Sequence, residues 1–185
     1  MRLKEPRIEP LAEEKLTNEQ AEVIAPTLER GGVVANVIMT LMGHMPLFTS
    51  LNMLGHHIMS DSSLEPRLRE ILIMRVGWNT NCEYQWGQHV RMSASAGLTA
   101  EDHVRIKESA GAEGWTQLEA ALIAAVDELI ADTMISDATW AALSRHLSTE
   151  QLIDTIFTVG HYNMVAMALN SIGVQPEPGL PGFNG

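Results

Sequence analysis

Three side chains that could act as acid, base or nucleophile lie close together near the middle of the chain. Cys82 is the single cysteine of the sequence, His89 follows it after seven residues, and Glu70 precedes it by twelve. A carboxylate beside an imidazole suits proton transfer, and a thiol beside an imidazole suits nucleophilic or redox chemistry. The stretch 66–98 is therefore the candidate active-site segment.

Two consecutive helices are predicted to position these groups. Apolar residues at three- and four-residue spacing predict a first helix that carries Glu70 within it. Thr80 and Glu83 have the spacing of a capping box, which predicts a second helix with Thr80 as its N-cap. Cys82 would then lie in the first turn, where free N–H groups and the positive end of the helix dipole favour a thiolate.

One face of the second helix is expected to form the site. Cys82, Gln85 and His89 follow i, i+3, i+7 spacing, which places them on the same side of a helix. Glu70 either pairs with a nearby arginine or turns into the site.

Aromatic and histidine side chains could complete a substrate pocket. The candidates for substrate binding, besides Gln85, are Tyr84, Trp86, His161 and His57. Trp86 could equally be a core residue. His161 lies with Tyr162 and Asn163 in a long apolar helix, where the three either form a polar cluster that stabilises the bundle or place one member in the pocket.

The spacing of these residues resembles that of the carboxymuconolactone decarboxylase family, whose superfamily includes the AhpD-type alkylhydroperoxidases. That pattern has a glutamate, then Cys-x-x-Cys at a helix start, then a histidine four residues after the second cysteine. Glu70, Cys82 and His89 match it, and Gln85 stands where the second cysteine would be. The resemblance extends over about 46–140. It implies an all-α, AhpD-like helical bundle that assembles as a homotrimer or homohexamer.

Gln85 changes the chemistry that the resemblance implies. AhpD-type peroxide reduction needs two thiols, because one is oxidised to a sulfenic acid and the other resolves it as a disulfide. A chain with one cysteine cannot complete that cycle internally. The resemblance then implies a lyase, such as a decarboxylase, or an isomerase acting on a small aromatic-derived acid or lactone. His89 would be the general acid or base, Glu70 its partner, and Cys82 and Gln85 the groups that contact the substrate carbonyl; no cofactor is expected.

Two other functions remain open at this point. A thiol-dependent peroxidase or redox sensor would use Cys82 with an external thiol to resolve the sulfenic acid. A non-enzymatic oligomer would retain the motif as packing. This last alternative predicts that Glu70 and His89 lie beyond the reach of a hydrogen bond or one bridging water, with no open pocket.

Composition argues against several other classes. The net charge is −11, with 23 acidic and 12 basic residues and no basic cluster, so neither nucleic acid nor an anionic membrane is an expected partner. A single cysteine permits no internal disulfide and favours the cytoplasm, and the N-terminus lacks the apolar segment of a signal peptide. His56 and His57 point about 100° apart on a helix and match no metal motif, so no metal is expected.

A single helical domain is predicted between two extended ends. Residues 1–16 contain two prolines among charges and predict an arm that either wraps a neighbouring subunit, as the family resemblance implies, or frays. Residues 17–174 form the helical domain, and no stretch in it alternates as a strand would. Residues 175–185 carry three prolines and predict an extended tail that packs on a partner subunit or is mobile. Four further helix starts are predicted from capping signals at Thr17, Thr99, Thr116 and Ser148.

Overall fold

The computed structural model describes residues 2–184, and every regular element within that range is helical. The α-helices are α1 (Asn18–Glu29), α2 (Asn36–Leu41), α3 (Met45–His56), α4 (Pro66–Asn79), α5 (Glu83–Ser93), α6 (Ala100–Glu108), α7 (Gln117–Asp132), α8 (Asp137–Leu143) and α9 (Thr149–Ile172). Short 3-10 turns occupy Glu13–Lys15 and Met42–His44, and a π-helical turn, His57–Asp61, extends α3. The prediction of an all-α single domain is confirmed.

Helix α4 is the central helix of the bundle. It packs against α5, α7 and α9. Nine of its 14 residues are buried, Glu70 and Arg75 among them, so the neighbouring helices hold these two charged side chains at fixed positions inside the protein. Its completely buried apolar residues are Ile71, Leu72, Ile73, Met74 and Val76.

Side-chain caps begin several helices at the predicted residues. Full capping boxes are present at Thr17, Thr99, Thr116 and Ser148. In each, the hydroxyl accepts a backbone N–H three residues ahead, and the side chain found there accepts the N–H of the capping residue. These predictions are confirmed. The sequence could predict the caps because all the groups involved lie within one helical turn of each other.

The turn between α4 and α5 differs from the prediction. Thr80 ends α4, and its hydroxyl donates back into that helix. Asn81 adopts a left-handed φ of 52°, and the N–H of Cys82 donates to the carbonyl of Gly77 at 2.8 Å. Helix α5 therefore begins at Glu83 with Cys82 as its N-cap. The predicted Thr80–Glu83 capping box is wrong, because Thr80 is the C-cap of α4 and its hydroxyl already donates to the carbonyl of Val76.

The N-terminal arm packs against its own subunit. The N–H of Arg7 donates to the carbonyl of Ile172 at 2.7 Å, and that of Leu11 donates to Met39 at 3.2 Å. The arm thus runs beside the end of α9 and across α2, with a single 3-10 turn before α1. Of the two predicted alternatives, a frayed arm is not what the structure describes from residue 2 onward, and wrapping of a neighbouring subunit stays a prediction; Met1 lies outside the described residues.

The C-terminal tail also folds back onto its own subunit. The Phe183 ring lies edge-on to Trp78 with centroids 5.1 Å apart, and the ammonium of Lys107 donates to the carbonyl of Phe183 at 2.5 Å. Leu180 and Pro181 lie directly over Gly87 of α5. Up to residue 184 the tail therefore contacts its own subunit, whereas its packing on a partner subunit stays a prediction; Gly185 lies outside the described residues.

Two helical stretches are long and apolar enough to cross a membrane by length and composition alone, Asn36–Asp61 and Thr149–Ile172. Core helices of globular domains meet the same criteria, and both stretches contribute buried residues to this bundle. The absence of a membrane partner stays a prediction.

Candidate active site

A buried carboxylate and a buried imidazole meet between α4 and α5. Oε2 of Glu70 lies 2.7 Å from Nδ1 of His89, and the two residues are 1% and 4% exposed. Nε of Arg69 lies 4.0 Å from the other oxygen of Glu70. Because the carboxylate engages Nδ1, Nε2 is the ring nitrogen left for a ligand. Glu70 therefore points toward His89 and the site. The non-enzymatic alternative predicted that these two residues lie beyond the reach of a hydrogen bond, and the 2.7 Å distance contradicts that prediction.

A cavity of about 260 Å³ opens beside this pair. Helices α2, α3 and α9 supply most of its apolar wall, and α5 supplies Tyr84, Gln85, Gln88 and His89. The i, i+4 spacing of Gln85 and His89 places both on the same face. The apolar lining includes Val37, Ile38, Leu41, Phe48, Leu51, Val165 and Leu169.

Tyr162 of α9 packs between two histidines of the cavity wall. Its ring lies edge-on to His89, with centroids 5.0 Å apart, and edge-on to His161, at 5.2 Å. Its hydroxyl donates to the sulfur of Met59 at 3.2 Å. Burial raises the pKa of Tyr162 and keeps the phenol neutral. From the sequence, one member of the group His161, Tyr162 and Asn163 was expected in the pocket, with His161 as the named candidate; the structure places both His161 and Tyr162 in the cavity wall.

Two polar atoms of the cavity wall have no hydrogen-bond partner in the described chain. Nε2 of Gln85 donates to the carbonyl of Ile73 at 3.0 Å, which leaves Oε1 of Gln85 buried and unpartnered. Nδ1 of His161 is likewise buried and unpartnered. Burial lowers the pKa of His161 and so favours its neutral form.

A carboxylate from the tail fixes one side of the cavity. Glu177 accepts hydrogen bonds at 2.7 Å from the Tyr84 hydroxyl, at 2.7 Å from the Gln88 amide and at 2.6 Å from the backbone N–H of Asn36. Burial, followed by this carboxylate, raises the pKa of Tyr84. Gln88 and Glu177 were not predicted from the sequence, because a single acid in a proline-rich tail carries no spacing signal.

Cys82 lies behind this wall rather than in it. The residue is completely buried, packs with Ala166, Leu169 and Val174, and is not among the residues that line the cavity. Burial raises the pKa of the thiol to about 11, although a hydrogen bond from the backbone of Gln85 acts in the opposite direction. The prediction of a thiolate at Cys82 is therefore wrong for this geometry. Burial disfavours the charged thiolate more than the N–H groups of the helix terminus favour it.

Two predicted pocket residues lie away from the cavity. Trp86 is 1% exposed in a separate core cluster, with the ammonium of Lys107 4.8 Å from its ring centroid. His57 is on the surface, where Nε2 lies 3.1 Å from Oδ1 of Asp154. The structure does not bring either side chain to Glu70, because both point from their helices into other neighbours.

A second charge network, in which the partly exposed Arg67 meets two buried carboxylates, lies three residues earlier on α4. The guanidinium of Arg67 donates to both carboxylate oxygens of Asp102, at 2.9 and 3.1 Å, to Glu119 at 2.8 Å and to the carbonyl of Gly97 at 2.8 Å. Burial acts to raise the pKa of Asp102, but the hydrogen bonds from Arg67 and from the backbone of Thr99 outweigh it and hold the value at about 2.

The described residues contain no group of three or more His, Cys, Asp or Glu side chains arranged to hold a metal ion. The expectation that the protein needs neither metal nor cofactor stays a prediction.

Comparisons with known proteins agree with this arrangement. Residues 46–127 match the sequence model of the carboxymuconolactone decarboxylase family. No curated protein matches the chain. An uncharacterised peroxidase-related protein from Ralstonia eutropha JMP134, described as an alkylhydroperoxidase AhpD core, has a TM-score of 0.83 and 16% identity over 94% of this chain and 93% of that one. A peroxidase-related protein from Silicibacter sp. TM1040 has a TM-score of 0.82 and 15% identity over 98% of both chains.

A third similar structure is that of the debrominase Bmp8, with a TM-score of 0.74 and 15% identity over 92% of each chain. A cysteine-to-alanine variant of that enzyme has been solved with 2,3,4-tribromopyrrole. At these identities the likeness concerns the fold. The fold is thus that of the AhpD-like helical proteins. Residues 46–127 thus match the carboxymuconolactone decarboxylase family, as the resemblance in sequence indicated, and the chain as a whole shares the fold of AhpD-like proteins.

Proposed function

We propose that this protein is an enzyme that transfers a proton to or from a small organic substrate, as a lyase or isomerase of the carboxymuconolactone decarboxylase type. The observation that carries the proposal is the 2.7 Å hydrogen bond between Glu70 and His89 at the wall of a cavity of about 260 Å³. Paired carboxylate and imidazole groups are the usual means of holding a histidine in one tautomer for acid–base catalysis.

Each member of the pair has a separate role in this mechanism. Nε2 of His89 takes the proton from the substrate or returns it to a developing carbanion or enolate. Glu70 keeps the ring oriented through Nδ1 and stabilises the imidazolium when the ring carries a second proton. Tyr162 supports the ring by its edge-on contact at 5.0 Å. The apolar wall limits water, which strengthens the interaction between carboxylate and imidazolium.

A panel assay tests the proposal directly. Small lactones, enols and ring-bearing carbonyl compounds are incubated with the protein in D2O, and NMR and mass spectrometry follow deuterium incorporation and product formation. We expect His89→Gln to lower turnover by about 10²- to 10⁴-fold, the range for loss of a general acid or base. The matched control is Cys82→Ala, which removes a buried group outside the cavity and should change turnover less than about 3-fold. Full activity in His89→Gln would contradict the proposal.

The alternative is a thiol-dependent peroxidase or redox sensor. It draws support from the peroxidase-related proteins of the same fold, and from the backbone N–H of Gln85 that points at the sulfur of Cys82. The burial of Cys82 and its raised thiol pKa of about 11 count against it. Peroxide consumption with an added thiol reductant, lost in Cys82→Ser and kept in His89→Gln, would establish this alternative.

We also propose that the chain assembles with copies of itself, as a trimer or hexamer. Support comes from an apolar stripe on the outer face of α9, where Ile153, Phe157, Met164 and Met167 are each about half exposed or more. Apolar patches of this kind are typical of protein interfaces. Light scattering after gel filtration should give a mass well above the 20.3 kDa of one chain, and Phe157→Glu should shift it downward. A monomeric wild-type protein would contradict this proposal.

A further inference from the structure

Gln88 lies at the centre of the α5 face that borders the cavity. Gln85, three residues before it, and Met92, four residues after it, both line the cavity, as does the adjacent His89. Residues three and four apart share one face of a helix, so the carboxamide of Gln88 lies among groups that a bound molecule would contact. Gln88 is partly exposed, whereas Gln85 is buried.

The C-terminal tail fixes the orientation of the Gln88 carboxamide. Nε2 of Gln88 donates at 2.7 Å to Oε2 of Glu177 and at 3.1 Å to the hydroxyl oxygen of Tyr84. An ionised carboxylate only accepts hydrogen bonds, so the atom that faces Glu177 is the amide nitrogen. The amide oxygen, Oε1, is therefore turned away from Glu177 and remains available as an acceptor.

The neighbouring hydroxyl of Tyr84 has no capacity left for a ligand. It donates to Glu177 at 2.7 Å, and it accepts from the amide of Gln88 and from the backbone N–H of Val37, each at 3.1 Å. One donor and two acceptor positions are all that a phenol hydroxyl offers. On this side of the cavity the free hydrogen-bonding group is therefore Oε1 of Gln88.

Two atoms of α5 can thus meet a bound molecule. Oε1 of Gln88 and Nε2 of His89 have no hydrogen-bond partner within residues 2–184. Unlike Oε1 of Gln85 and Nδ1 of His161, they are not among the polar atoms shut off from solvent. One atom is an acceptor of fixed orientation, and the other is the nitrogen assigned to proton transfer.

We infer that Gln88 is the specificity residue of this site, and that its Oε1 accepts a hydrogen bond from a hydroxyl or enol O–H of the substrate. Glu177 is the positioning residue that keeps Oε1 turned toward the ligand. The inference rests on the proposed function in taking this cavity as the site of a small acid or lactone, and it narrows that class to hydroxylated members. The hydrogen bond holds the substrate beside Nε2 of His89, where a proton can be transferred.

The expected selectivity follows from the hydration of Oε1. A ligand without a donor covers this acceptor and leaves it without the water that it bonds in the empty site, whereas a hydroxyl replaces that water. One net hydrogen bond of ordinary strength should then favour the hydroxylated molecule by about 3- to 10-fold in Kd.

Matched lactones test the inference without any assumption about the reaction. The α- and β-hydroxy-γ-butyrolactones carry a donor, and their methoxy counterparts have a similar shape but cannot donate. Ligand-observed NMR titration of the full chain gives a Kd for each probe. At least one hydroxylated lactone should bind about 3- to 10-fold more tightly than its methoxy counterpart.

Variants identify the responsible atoms. Gln88→Met keeps the length of the side chain but removes Oε1, so the preference should fall to about 1-fold while the affinity for the methoxy probes changes by less than about 3-fold. A purely structural role of Gln88 would lower the affinity for both kinds of probe equally. The matched control is Gln117→Met at an exposed position, which should keep the preference.

Glu177→Gln tests the positioning role and serves as the second variant if Gln88→Met fails to fold. An amide at 177 can donate as well as accept, so it no longer dictates which atom of Gln88 faces it, and the preference should fall by at least about 2-fold. Equal binding of hydroxy and methoxy probes, no binding of any probe, or an unchanged preference in the cavity variants would overturn the inference. Failure of the proposed function alone would differ, as an intact probe preference together with full turnover in His89→Gln.

Discussion

Two charge clusters include residues of α4 only three positions apart, Arg67 and Glu70, and they have opposite characters. The guanidinium of Arg67 donates hydrogen bonds to Asp102, to Glu119 and to a backbone carbonyl. Glu70 meets one nitrogen of His89, and the other ring nitrogen is left at a cavity. We call the Arg67 cluster closed, because its hydrogen-bonding groups already have partners within the protein. We call the Glu70–His89 pair open, because one ring nitrogen of His89 is left for a ligand.

The difference separates stability from chemistry. A closed network links three helices and has little capacity left for a ligand, so its loss should affect folding. An open pair can exchange a proton with a bound molecule, so its loss should affect turnover. Variants in the two clusters should therefore act on different measurements, in the order of their expected effect on the free energy of unfolding.

Arg67→Met should have the largest effect. It leaves Asp102 and Glu119 buried with less compensation, and breaking such a network should lower the free energy of unfolding by about 3 kcal/mol. Urea titration followed by circular dichroism measures the change. The control is Arg91→Met on the exposed side of α5, which should stay within about 0.5 kcal/mol of wild type. If the two variants lowered the free energy of unfolding equally, the Arg67 network would contribute no more to stability than an exposed arginine does.

Acid titration should show a smaller effect from the same network. The pKa of Asp102 is lowered to about 2 in the folded protein, so its ionised form stabilises the fold at pH values above the ordinary pKa of an aspartate. That contribution, about 2 kcal/mol, is lost as the pH falls from about 4 to about 2. The difference in unfolding free energy between wild type and Asp102→Asn should shrink over this range. A difference independent of pH would contradict the assignment.

Glu70→Gln should have the smallest effect on folding. The amide keeps the shape of the side chain and can still accept from Nδ1 of His89, so the free energy of unfolding should change by about 1 kcal/mol or less. Turnover should nevertheless fall by about 10²-fold, because the negative charge that stabilises the imidazolium is lost. A large loss of stability with unchanged turnover would show that the Glu70–His89 pair stabilises the fold, as the closed cluster does, and has no catalytic role.

The sequence predicted those parts of the structure that depend on neighbouring residues. The capping boxes at Thr17, Thr99, Thr116 and Ser148 involve residues within one turn, and the spacing of Glu70 and His89 was identified from a family pattern. Thr80 has the same spacing as the true caps, yet it ends a helix, because the left-handed backbone at Asn81 decides where α4 stops.

Long-range features were not predictable in this way. Burial of Cys82 depends on α9 and on Val174, far away in sequence, so a helix-terminus argument gave the wrong direction for its thiol pKa. The contact of Glu177 with Tyr84 spans 93 residues. His57 and Trp86 had suitable side chains, but helix geometry turns them toward Asp154 and Lys107.

Gly87 has a consequence for the relatives of this chain. A Cβ atom there would overlap the carbonyl oxygen of Pro181 and the side chain of Leu180, so the absence of a side chain is what lets residues 175–184 cross α5 and deliver Glu177. Any homologue with a bulkier residue at the equivalent site must route its carboxyl terminus elsewhere and build that side of its pocket from different atoms. In proteins that share this fold, the residue at this position would then indicate how that side of the pocket is built.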